Sequence, residues 1–395
     1  MTKTLVCLGG GVEAVQIIQR ALELGHRAIV VDIDPDAPGL AVEQVIRLTG
    51  VSCYHAPEVI DALYKFQVSP DGVLCCAVDA PIVAAKVAQA FGLPGLTVEA
   101  AMLSQDKLLQ IKTLEYANLP IPELYDLTQK QWVVVKPADS RGGRGVHRLR
   151  KGQDLREPMD CAETFSPTRR VLLLEWLDGL QLSTESIVQD GQVLFTAVAL
   201  RNYARLDEFA PYVIEDGCDA PYGDAALVDE CSRLMERACH ALGWYQQGAG
   251  TVKGDLVIHD GKVHIIELAA RLSGGFLCSH IIPGAYGVDL VGYAIQAALG
   301  QTLSPWSPAY DRPHFVSQRY VFPEPVDLGR KVVDLPALNG RPFATWNLKP
   351  GQTIQAVDCH PLRWGQMTVS AGSRAEAEAM AVVEVERMKK GVVLA

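Results

Sequence analysis

Apolar residues in the first hundred positions alternate between short β-branched runs and longer stretches with helical periodicity. The short runs predict strands at 5–8, 28–32 and 72–77. The longer stretches predict helices at 12–24, 58–66 and 80–91. Strand and helix repeats of this length are typical of a doubly wound parallel sheet. The segment 92–95, Gly-Leu-Pro-Gly, then interrupts the pattern, and Thr97 is placed to cap the next helix. We therefore expect a domain boundary near residue 96.

From residue 132 the pattern changes to paired short strands separated by tight turns. Asp190-Gly191 and Asp260-Gly261 each lie between two apolar runs, which is typical of antiparallel hairpins. The predicted strands are 132–136, 146–149, 171–174, 186–187, 193–200, 256–258 and 263–266. The predicted helices are 225–242, 289–299 and one that begins at Ser373, where Ser373 and Glu376 form a capping box. This part of the chain is predicted to be an antiparallel α+β unit.

Composition narrows the class of protein. The 395 residues are 49% hydrophobic and carry a net charge of −10 with a pI near 5.4, which excludes a disordered chain and disfavours binding to nucleic acid. Ten cysteines without C-x-x-C spacing indicate small buried side chains rather than disulfides or a zinc site. No apolar run reaches the roughly 18 residues of a membrane span, and no signal peptide is evident. We expect a cytoplasmic protein that contacts no membrane.

A glycine-rich turn follows the first predicted strand. Residues 9–14, Gly-Gly-Gly-Val-Glu-Ala, fit the dinucleotide-binding pattern, and Asp32 ends the next strand where a ribose-binding acid belongs. Any tight turn between a strand and a helix also favours glycine, so the motif is weak. A nicotinamide-dependent oxidoreductase is kept as an alternative on this ground.

The segment 136–146, Lys-Pro-Ala-Asp-Ser-Arg-Gly-Gly-Arg-Gly-Val, is more specific. A lysine ends one strand, and a glycine-rich hairpin then offers backbone N–H groups and two arginines. These groups suit a polyphosphate, although the order is not that of a P-loop. The alternative is a solvated basic hairpin.

Two carboxylates flank the apolar hairpin at Asp260-Gly261. Asp255 and Glu267 on adjoining strands can bind Mg²⁺ together, and Arg271 supplies a fork for a phosphoryl group. A structural ion pair between Glu267 and Arg271 is the alternative. Because side chains alternate faces, a two-residue turn at Asp260-Gly261 would send the carboxylates to opposite faces, and we exclude that turn. We therefore predict a three-residue connection, 259–261, that pairs Ile258 with Lys262.

In order and rough spacing, these motifs together resemble the ATP-grasp superfamily, whose carboxylate–amine ligases include L-amino acid ligases. The motifs that carry the resemblance are Lys107, the loop 136–146, the Leu-Leu-Leu-Glu-Trp-Leu segment 172–177, Asp255 and the segment 267–275. The resemblance implies ATP and Mg²⁺, or Mn²⁺, as cofactors. It implies nucleotide contacts from Lys107, Lys136, Ser140, Arg141, Gly142, Gly143, Glu175, Trp176, Leu177 and Gln181. It implies metal ligation by Asp255 and Glu267, and catalytic roles for Lys136 and Arg271. The candidate substrate residues are Arg201, Tyr203, Arg271, Ser273, Gly274 and His280.

Two positions depart from the family pattern. Ala269 stands where an asparagine often ligates the second metal ion, and Gln181 stands where a ribose-binding acid is common. We expect an amino-terminal domain at 1–100, a lid at 101–180, a large subdomain with the metal site at 181–300 and its β-rich continuation at 301–395. The expected reaction joins a small carboxylate to an amine through an acyl phosphate and releases ADP and phosphate. A purine-pathway or carboxylase-like enzyme and a nucleotide-binding protein without catalysis remain alternatives, and a homodimer is the expected assembly.

Overall fold

Four parallel strands in the order β3-β2-β1-β4 form the sheet of the amino-terminal part of the chain. The computed structural model describes residues 2–124, 130–304, 314–338 and 343–395. The elements are β1 (Thr4–Leu8), α1 (Ala14–Glu23), β2 (Arg27–Asp32), β3 (Ile46–Thr49), α2 (Ala56–Lys65), β4 (Gly72–Cys75) and α3 (Pro81–Phe91). Leu5 and Cys7 pack in the same cluster as α1, whereas Val6 and Leu8 pack with α2 and α3. Helices therefore cover both faces, which confirms the doubly wound prediction.

Strand β3 was not predicted from the sequence. It lies at the sheet edge, where only Leu48 of its four residues is buried. A four-residue edge strand with one buried side chain leaves no clear apolar pattern, so periodicity could not detect it.

A small three-stranded antiparallel sheet follows the first domain. Helices α4 (Val98–Gln105) and α5 (Lys107–Tyr116) lead to β5 (Trp132–Pro137), β6 (His147–Arg150), α6 (Arg156–Phe165) and β7 (Val171–Glu175), with strand order β6-β5-β7. Thr97 caps α4 as predicted, because its hydroxyl accepts from the Ala100 N–H at 3.2 Å. Residues 125–129 of the expected lid, and 305–313 and 339–342 of the expected carboxyl-terminal portion, lie outside the described residues.

An eight-stranded sheet in the order β12-β11-β8-β9-β10-β13-β16-β15 forms the large unit. Its strands are β8 (Leu180–Gln189), β9 (Gln192–Asn202), β10 (Gly217–Ala220), β11 (Ala249–His259), β12 (Lys262–Ala269), β13 (Phe315–Val321), β15 (Ala344–Trp346) and β16 (Gly365–Ala371). Its helices are α7 (Ala225–Leu242), α8 (Ile282–Tyr286), α9 (Leu290–Ala298) and α10 (Arg374–Lys390), and a two-stranded sheet pairs β14 (Val332–Asp334) with β17 (Val393–Leu394). All pairings in the eight-stranded sheet are antiparallel, as the hairpin pattern predicted.

The amino-terminal sheet and the large sheet share one hydrophobic cluster. Leu5 and Ile17 belong to the same buried cluster as Phe195 of β9 and Ile295 of α9. The carbonyl of Ala298 in α9 lies 2.4 Å from the position that a Cβ on Gly72 of β4 would occupy, so only glycine fits there. The two units are therefore packed on each other through apolar contact.

The cysteines behave as the composition indicated. All ten are free thiols, and all except Cys161 are buried. Within the four described ranges, no helix is both long and apolar enough to cross a membrane.

We predict that Gly179→Ala destabilises the protein more than Gly152→Ala does. Both glycines have positive φ, +149° at Gly179 and +87° at Gly152. A Cβ on Gly179 would lie 1.9 Å from the Ile258 carbonyl oxygen, whereas a Cβ on Gly152 would have no neighbouring atom within 4 Å. The Gly152 variant should cost about 1 kcal/mol of unfolding free energy for its backbone conformation, and the Gly179 variant at least about 3 kcal/mol. Urea unfolding of both variants measures the difference, and equal losses would contradict the close backbone approach at the start of β8.

Candidate active site

The charged residues of the site lie on one face of the central strands of the large sheet. Cross-strand partners share a face, and alternate residues along a strand return to it. Asp255 of β11 lies opposite Ser183 of β8 and Glu267 of β12, and Lys253 lies opposite Glu185 and Ala269. Ala199 of β9 is the partner of Ser183 and lies on this face. Arg201 is two residues further along β9, so it lies on the same face.

The hairpin between β11 and β12 corrects one prediction. The turn is the two-residue Asp260-Gly261, with φ of +48° and +73°, and it pairs His259 with Lys262. The predicted three-residue connection is therefore wrong. A β-bulge between Asp255 and Leu256 adds Ile266 to β12, so that Leu256 pairs with Ile265 and Asp255 pairs with Glu267. The bulge restores the register, and the carboxylates face the same side at the close spacing of about 5 Å between Cβ atoms.

Two lysines from the lid converge on Glu267. Nζ of Lys107, at the start of α5, lies 3.6 Å from one carboxylate oxygen, and Nζ of Lys136, at the end of β5, lies 3.7 Å from the other. The Lys107 ammonium also donates to the Ser140 carbonyl at 2.7 Å. Burial lowers the pKa of Lys136, and Glu267 opposes that shift. One carboxylate thus holds two cations in place.

Asp255 is held by a second set of cations. Arg201 lies 3.2 Å from its carboxylate, Lys253 forms an ion pair with it from the same strand, and Arg201 also pairs with Glu215 at 2.9 Å. Burial opposes ionisation of Asp255, but Arg201 and Lys253 outweigh burial and hold its pKa below the usual range.

Arg271 does not pair with Glu267. Its Nε donates to Asp79, at 2.9 Å, in the segment between β4 and α3, and one terminal nitrogen donates to the Leu272 carbonyl. Burial would lower the pKa of Arg271 and raise that of Asp79, but the ion pair shifts both in the opposite direction. The amino-terminal domain therefore positions the arginine.

Two carboxylates accept hydrogen bonds from backbone N–H groups of the loop that follows Arg271. The Ser273 N–H donates to Glu185 at 2.9 Å, and the Gly275 N–H donates to Glu13 at 2.7 Å. A Cβ on Gly274 would lie 3.0 Å from the Glu13 carboxylate. Burial raises the pKa of Glu185 to about 7, against the backbone hydrogen bond from Ser273. The loop is thereby fixed from both domains.

The glycine-rich loop rests on both neighbouring units. The Arg141 guanidinium lies 4.0 Å from the centre of the Tyr54 ring in the amino-terminal domain. The Gly142 carbonyl accepts from the His360 N–H at 3.0 Å, and Gly142 and Gly143 have φ of +67° and +72°. The loop is therefore held by the amino-terminal domain and by the segment that precedes β16.

The segment after β7 connects the three-stranded sheet to the eight-stranded sheet. Lys130 pairs with the Glu175 carboxylate at 2.7 Å. The Trp176 indole N–H donates to Asp178 at 2.5 Å, and Arg148 lies between the rings of Trp132 and Trp176. The Gln181 amide donates to the Leu177 carbonyl at 3.4 Å.

His280 lies apart from the charged cluster. Its ring contacts Gln16 at 2.8 Å and stacks on Phe343 with ring centres 3.5 Å apart, and burial lowers its pKa to about 4. Tyr203, by contrast, lies beside Arg201, 5.2 Å from ring centre to guanidinium.

The glycine-rich turn at 9–14 has a structural explanation. The Gly10 N–H donates to Asp32 at 2.7 Å, and the Asp34 N–H donates to the other oxygen of that carboxylate. The Gly10 carbonyl accepts from Gly39 at 2.6 Å, and a Cβ on Gly39 would lie 2.8 Å from the Gly10 Cα. The turn is thus covered by the short helix Pro38–Ala41.

Several residues of the site were not assigned a role from the sequence: Glu13, Asp79, Glu185, Glu215, Lys253 and His360. Lys253 could have been found, because strand alternation places it on the face of Asp255. Asp79, Glu13 and His360 come from distant segments and leave no local signal.

Ion pairs connect most of the charged side chains of the cluster. Five cationic side chains, Lys107, Lys136, Arg201, Lys253 and Arg271, share the carboxylates of four residues, Glu267, Asp255, Asp79 and Glu215. Cations that share a carboxylate can bind a further anion.

Comparison with known proteins finds similarity in the part of the chain that carries this site. The model of a family described as "ATP-grasp domain" matches residues 104–275. The chain is 24% identical over 315 residues to the carbamoyl phosphate synthase large chain of Thermomicrobium roseum, covering 74% of this chain but only 28% of that protein. It is 25% identical over 228 residues to the D-alanine–D-alanine ligase of Desulforudis audaxviator, covering 53% and 69%. The crystal structure of an L-amino acid ligase from Bacillus licheniformis has the same fold, with a TM-score of 0.78, 18% identity and coverage of 100% and 98%.

We predict that Glu185→Gln removes a pH dependence of stability. The unfolded carboxyl group titrates near 4.5 and the folded one near 7, so the folded state binds more protons between these values, and stability falls as pH rises. At pH 8 the variant should be up to about 3 kcal/mol more stable than the wild type, and near pH 4.5 the difference should vanish. Urea unfolding at both pH values measures it. A difference that does not change with pH would show that Glu185 is not held in a protonated state.

Proposed function

The chain contains an ATP-grasp domain, and on that premise we propose that it is an ATP-dependent ligase that joins a carboxylate to an amine. The observation that carries the proposal is the convergence of Lys107 and Lys136 on Glu267, opposite Asp255 and beneath the glycine-rich loop. The D-alanine–D-alanine ligase relative and the L-amino acid ligase fold support a carbon–nitrogen bond-forming reaction.

ATP would lie between the lid and the large sheet. Lys107, Lys136 and the backbone of Ser140, Arg141, Gly142 and Gly143 would hold its phosphates. Glu175, Trp176 and Leu177 would lie at the adenine edge, where the Leu177 carbonyl already accepts a hydrogen bond. Gln181 would meet the ribose as a neutral amide. Glu267 is now the shared anionic partner of the two lysines, and a bound phosphate group would pair with the lysines in its place.

The carboxylates fit Mg²⁺ that also binds phosphate. Asp255 and Glu267 face the same side, and Mg²⁺ or Mn²⁺ takes oxygen ligands of this kind. Across the described ranges, no cluster of three or more His, Cys, Asp or Glu side chains could hold a metal ion, and Ala269 adds no oxygen. Water and phosphate oxygens would therefore complete the coordination. The bound ion would supply charge neutralisation for the phosphoryl group.

The reaction would proceed in two steps. A substrate carboxylate oxygen attacks the terminal phosphorus of ATP, forming an acyl phosphate and ADP; an amine then attacks the acyl carbon and displaces phosphate. The protein aligns the reactants and stabilises developing charge with Lys136 and Arg271. Arg271, Ser273 and Gly274 lie along the loop where the acyl group would bind, with Arg201 and Tyr203 on the opposite side and His280 at a more distant position.

The remaining functions are distinguishable from this one. A purine-pathway or carboxylase-like enzyme shares the ATP chemistry but differs in the acceptor. A nucleotide-binding protein without catalysis would bind ATP without releasing phosphate. The covered turn at 9–14 gives no support to a nicotinamide-dependent oxidoreductase. A cytoplasmic homodimer remains an expectation.

We predict that turnover releases ADP and phosphate only when a carboxylate is present. Phosphate release from MgATP should be measured across a matrix of carboxylic acids and amines, including amino acids, and the joined product identified by mass spectrometry. Lys107 and Lys136, which now share Glu267, would stabilise the charge that develops on the transferred terminal phosphoryl group. AMP and pyrophosphate as products, or no phosphate release with any pair, would overturn the proposal.

Lys136→Met is predicted to reduce turnover at least about 10²-fold, because it removes one buried electrostatic donor while keeping side-chain volume. Lys112→Ala serves as the control, since Lys112 is exposed on α5. Steady-state release of ADP compares the two. Near wild-type turnover in the Lys136 variant would show that this lysine does not act on the phosphates.

A further inference from the structure

Arg363 is a buried arginine outside residues 104–275, and it follows the short helix His360–Leu362. The residue is only 9% exposed. Its Nε donates to the His360 carbonyl at 3.0 Å, and Nη1 donates to the Glu215 carbonyl at 3.2 Å. The guanidinium lies 3.4 Å from the centre of the Tyr320 ring. Two backbone carbonyls and an aromatic ring therefore fix the position of this cation.

No carboxylate of the described chain neutralises the charge of Arg363. Within the described ranges, no carboxylate oxygen lies within 4.0 Å of its nitrogens, and Nη2 has no hydrogen-bond partner. Glu215 contacts Arg363 through its backbone carbonyl, while its carboxylate pairs with Arg201 at 2.9 Å. Burial of a charged group is costly unless the group is paired. A buried arginine held in this way indicates a site for an anion that binds from outside the chain.

Arg363 is connected by contacts to both loops of the candidate active site. His360, whose carbonyl accepts from Arg363, donates its own backbone N–H to the Gly142 carbonyl of the glycine-rich loop. The Tyr320 hydroxyl lies 3.1 Å from the position that a Cβ on Gly275 would occupy, in the loop 271–275. One residue therefore separates the guanidinium from each loop, which places it beside the cations that would hold the phosphates.

The proposed reaction gives a reason for a separate cation at this place. The amine nitrogen must carry a lone pair when it attacks the acyl carbon, so it is uncharged at that moment and offers no charge for binding. The reacting carboxylate would lie with Lys136 and Arg271, because one of its oxygens must reach the terminal phosphorus. Binding of a part of the substrate that does not react can orient the part that does. An arginine apart from Lys136 and Arg271 suits such a group.

We propose that Arg363 binds a non-reacting anionic group, a carboxylate or a phosphate, on the amine substrate, an inference that rests on the function proposed above. Arginine binds both kinds of anion through paired N–H donors, and Nη2 keeps two such donors without a partner among the described residues. With a carboxylate, the amine is an amino acid and the product resembles a peptide. With a phosphate, the amine is a phosphate ester that keeps a free amino group.

The first test measures which amines the enzyme joins to one carboxylate taken from the screen above. The panel contains the α-amino acids, their uncharged carboxamides and 2-aminoethyl phosphate, each supplied with MgATP. In the wild type, kcat/KM for the best anionic amine should exceed that for every carboxamide at least about 10-fold, as one hydrogen bond between charged groups allows. A preference for amino acids identifies the bound group as a carboxylate, and a preference for 2-aminoethyl phosphate identifies it as a phosphate.

The second test asks whether Arg363 causes this preference. In Arg363→Gln, kcat/KM for the anionic amine should fall about 10- to 100-fold through a higher KM, while kcat/KM for the carboxamides and the KM for MgATP stay within about threefold. Arg363→Lys keeps the charge and should keep part of the preference, and it replaces the glutamine variant should that one fail to fold.

Arg374→Gln is the matched control. Arg374 also donates to a backbone carbonyl, that of Pro221, and lies against an aromatic ring, that of Tyr222, but it belongs to α10 and not to the site. This variant should keep the wild-type preference for anionic amines.

Four outcomes would overturn the inference. They are a wild type without preference for anionic amines, an Arg363→Gln variant that keeps the preference, equal losses for anionic and uncharged amines, and a loss that follows an anion on the carboxylate substrate instead. The third would assign Arg363 to support of the fold, and the fourth would assign its anion to the other reactant. Failure of the wild type to form ADP with any carboxylate would instead overturn the proposed function itself.

Discussion

The site depends on the requirement that buried cations be paired with carboxylates. Lys107 and Lys136 both lie near Glu267, and Arg201 and Lys253 both lie near Asp255, so each carboxylate is shared. Removing charged groups from water is costly unless partners compensate, and sharing compensates them only in part. Under the proposed function, a polyphosphate would supply the further negative charge, so the groups that stabilise the folded site would also bind it.

The glycine-rich loop and the loop 271–275 are each held from more than one unit. Tyr54 and His360 contact the first, while Asp79, Glu13 and Glu185 bind the second. Backbone N–H groups in fixed positions are effective in electrostatic catalysis because they need little reorganisation as charge develops. Under the proposed function, the amino-terminal domain would contribute by positioning these two loops through Tyr54, Asp79 and Glu13.

Periodicity and turn residues were sufficient for three of the four strands of the doubly wound sheet, for the hairpins at Asp190-Gly191 and Asp260-Gly261, and for helices such as α7, because each has a local apolar pattern. The same signals did not predict β10, Gly217–Ala220, because its residues have little strand propensity. This segment is a strand because it pairs with the neighbouring β9. The turn at Asp260-Gly261 shows a different limit. The parity argument excluded this two-residue turn, and the exclusion was wrong because a bulge at Ile266 places both carboxylates on one face by another route. Asp79 and His360 lay beyond sequence reasoning because their roles depend on contacts between distant segments.

The shared apolar cluster has a consequence for how this architecture can vary. Side chains of β1 and α1 pack in one core with those of β9 and α9, and Gly72 of β4 leaves no room above the Ala298 carbonyl. The amino-terminal domain of a homologue has a surface that packs against that homologue's own α9. Its side chains would not fit the α9 of this protein, and closely packed interiors tolerate such a mismatch poorly. Recombination between relatives of this protein should therefore succeed only where the crossover carries α9 together with the first domain, so that two segments separated by some 200 residues are inherited as one unit.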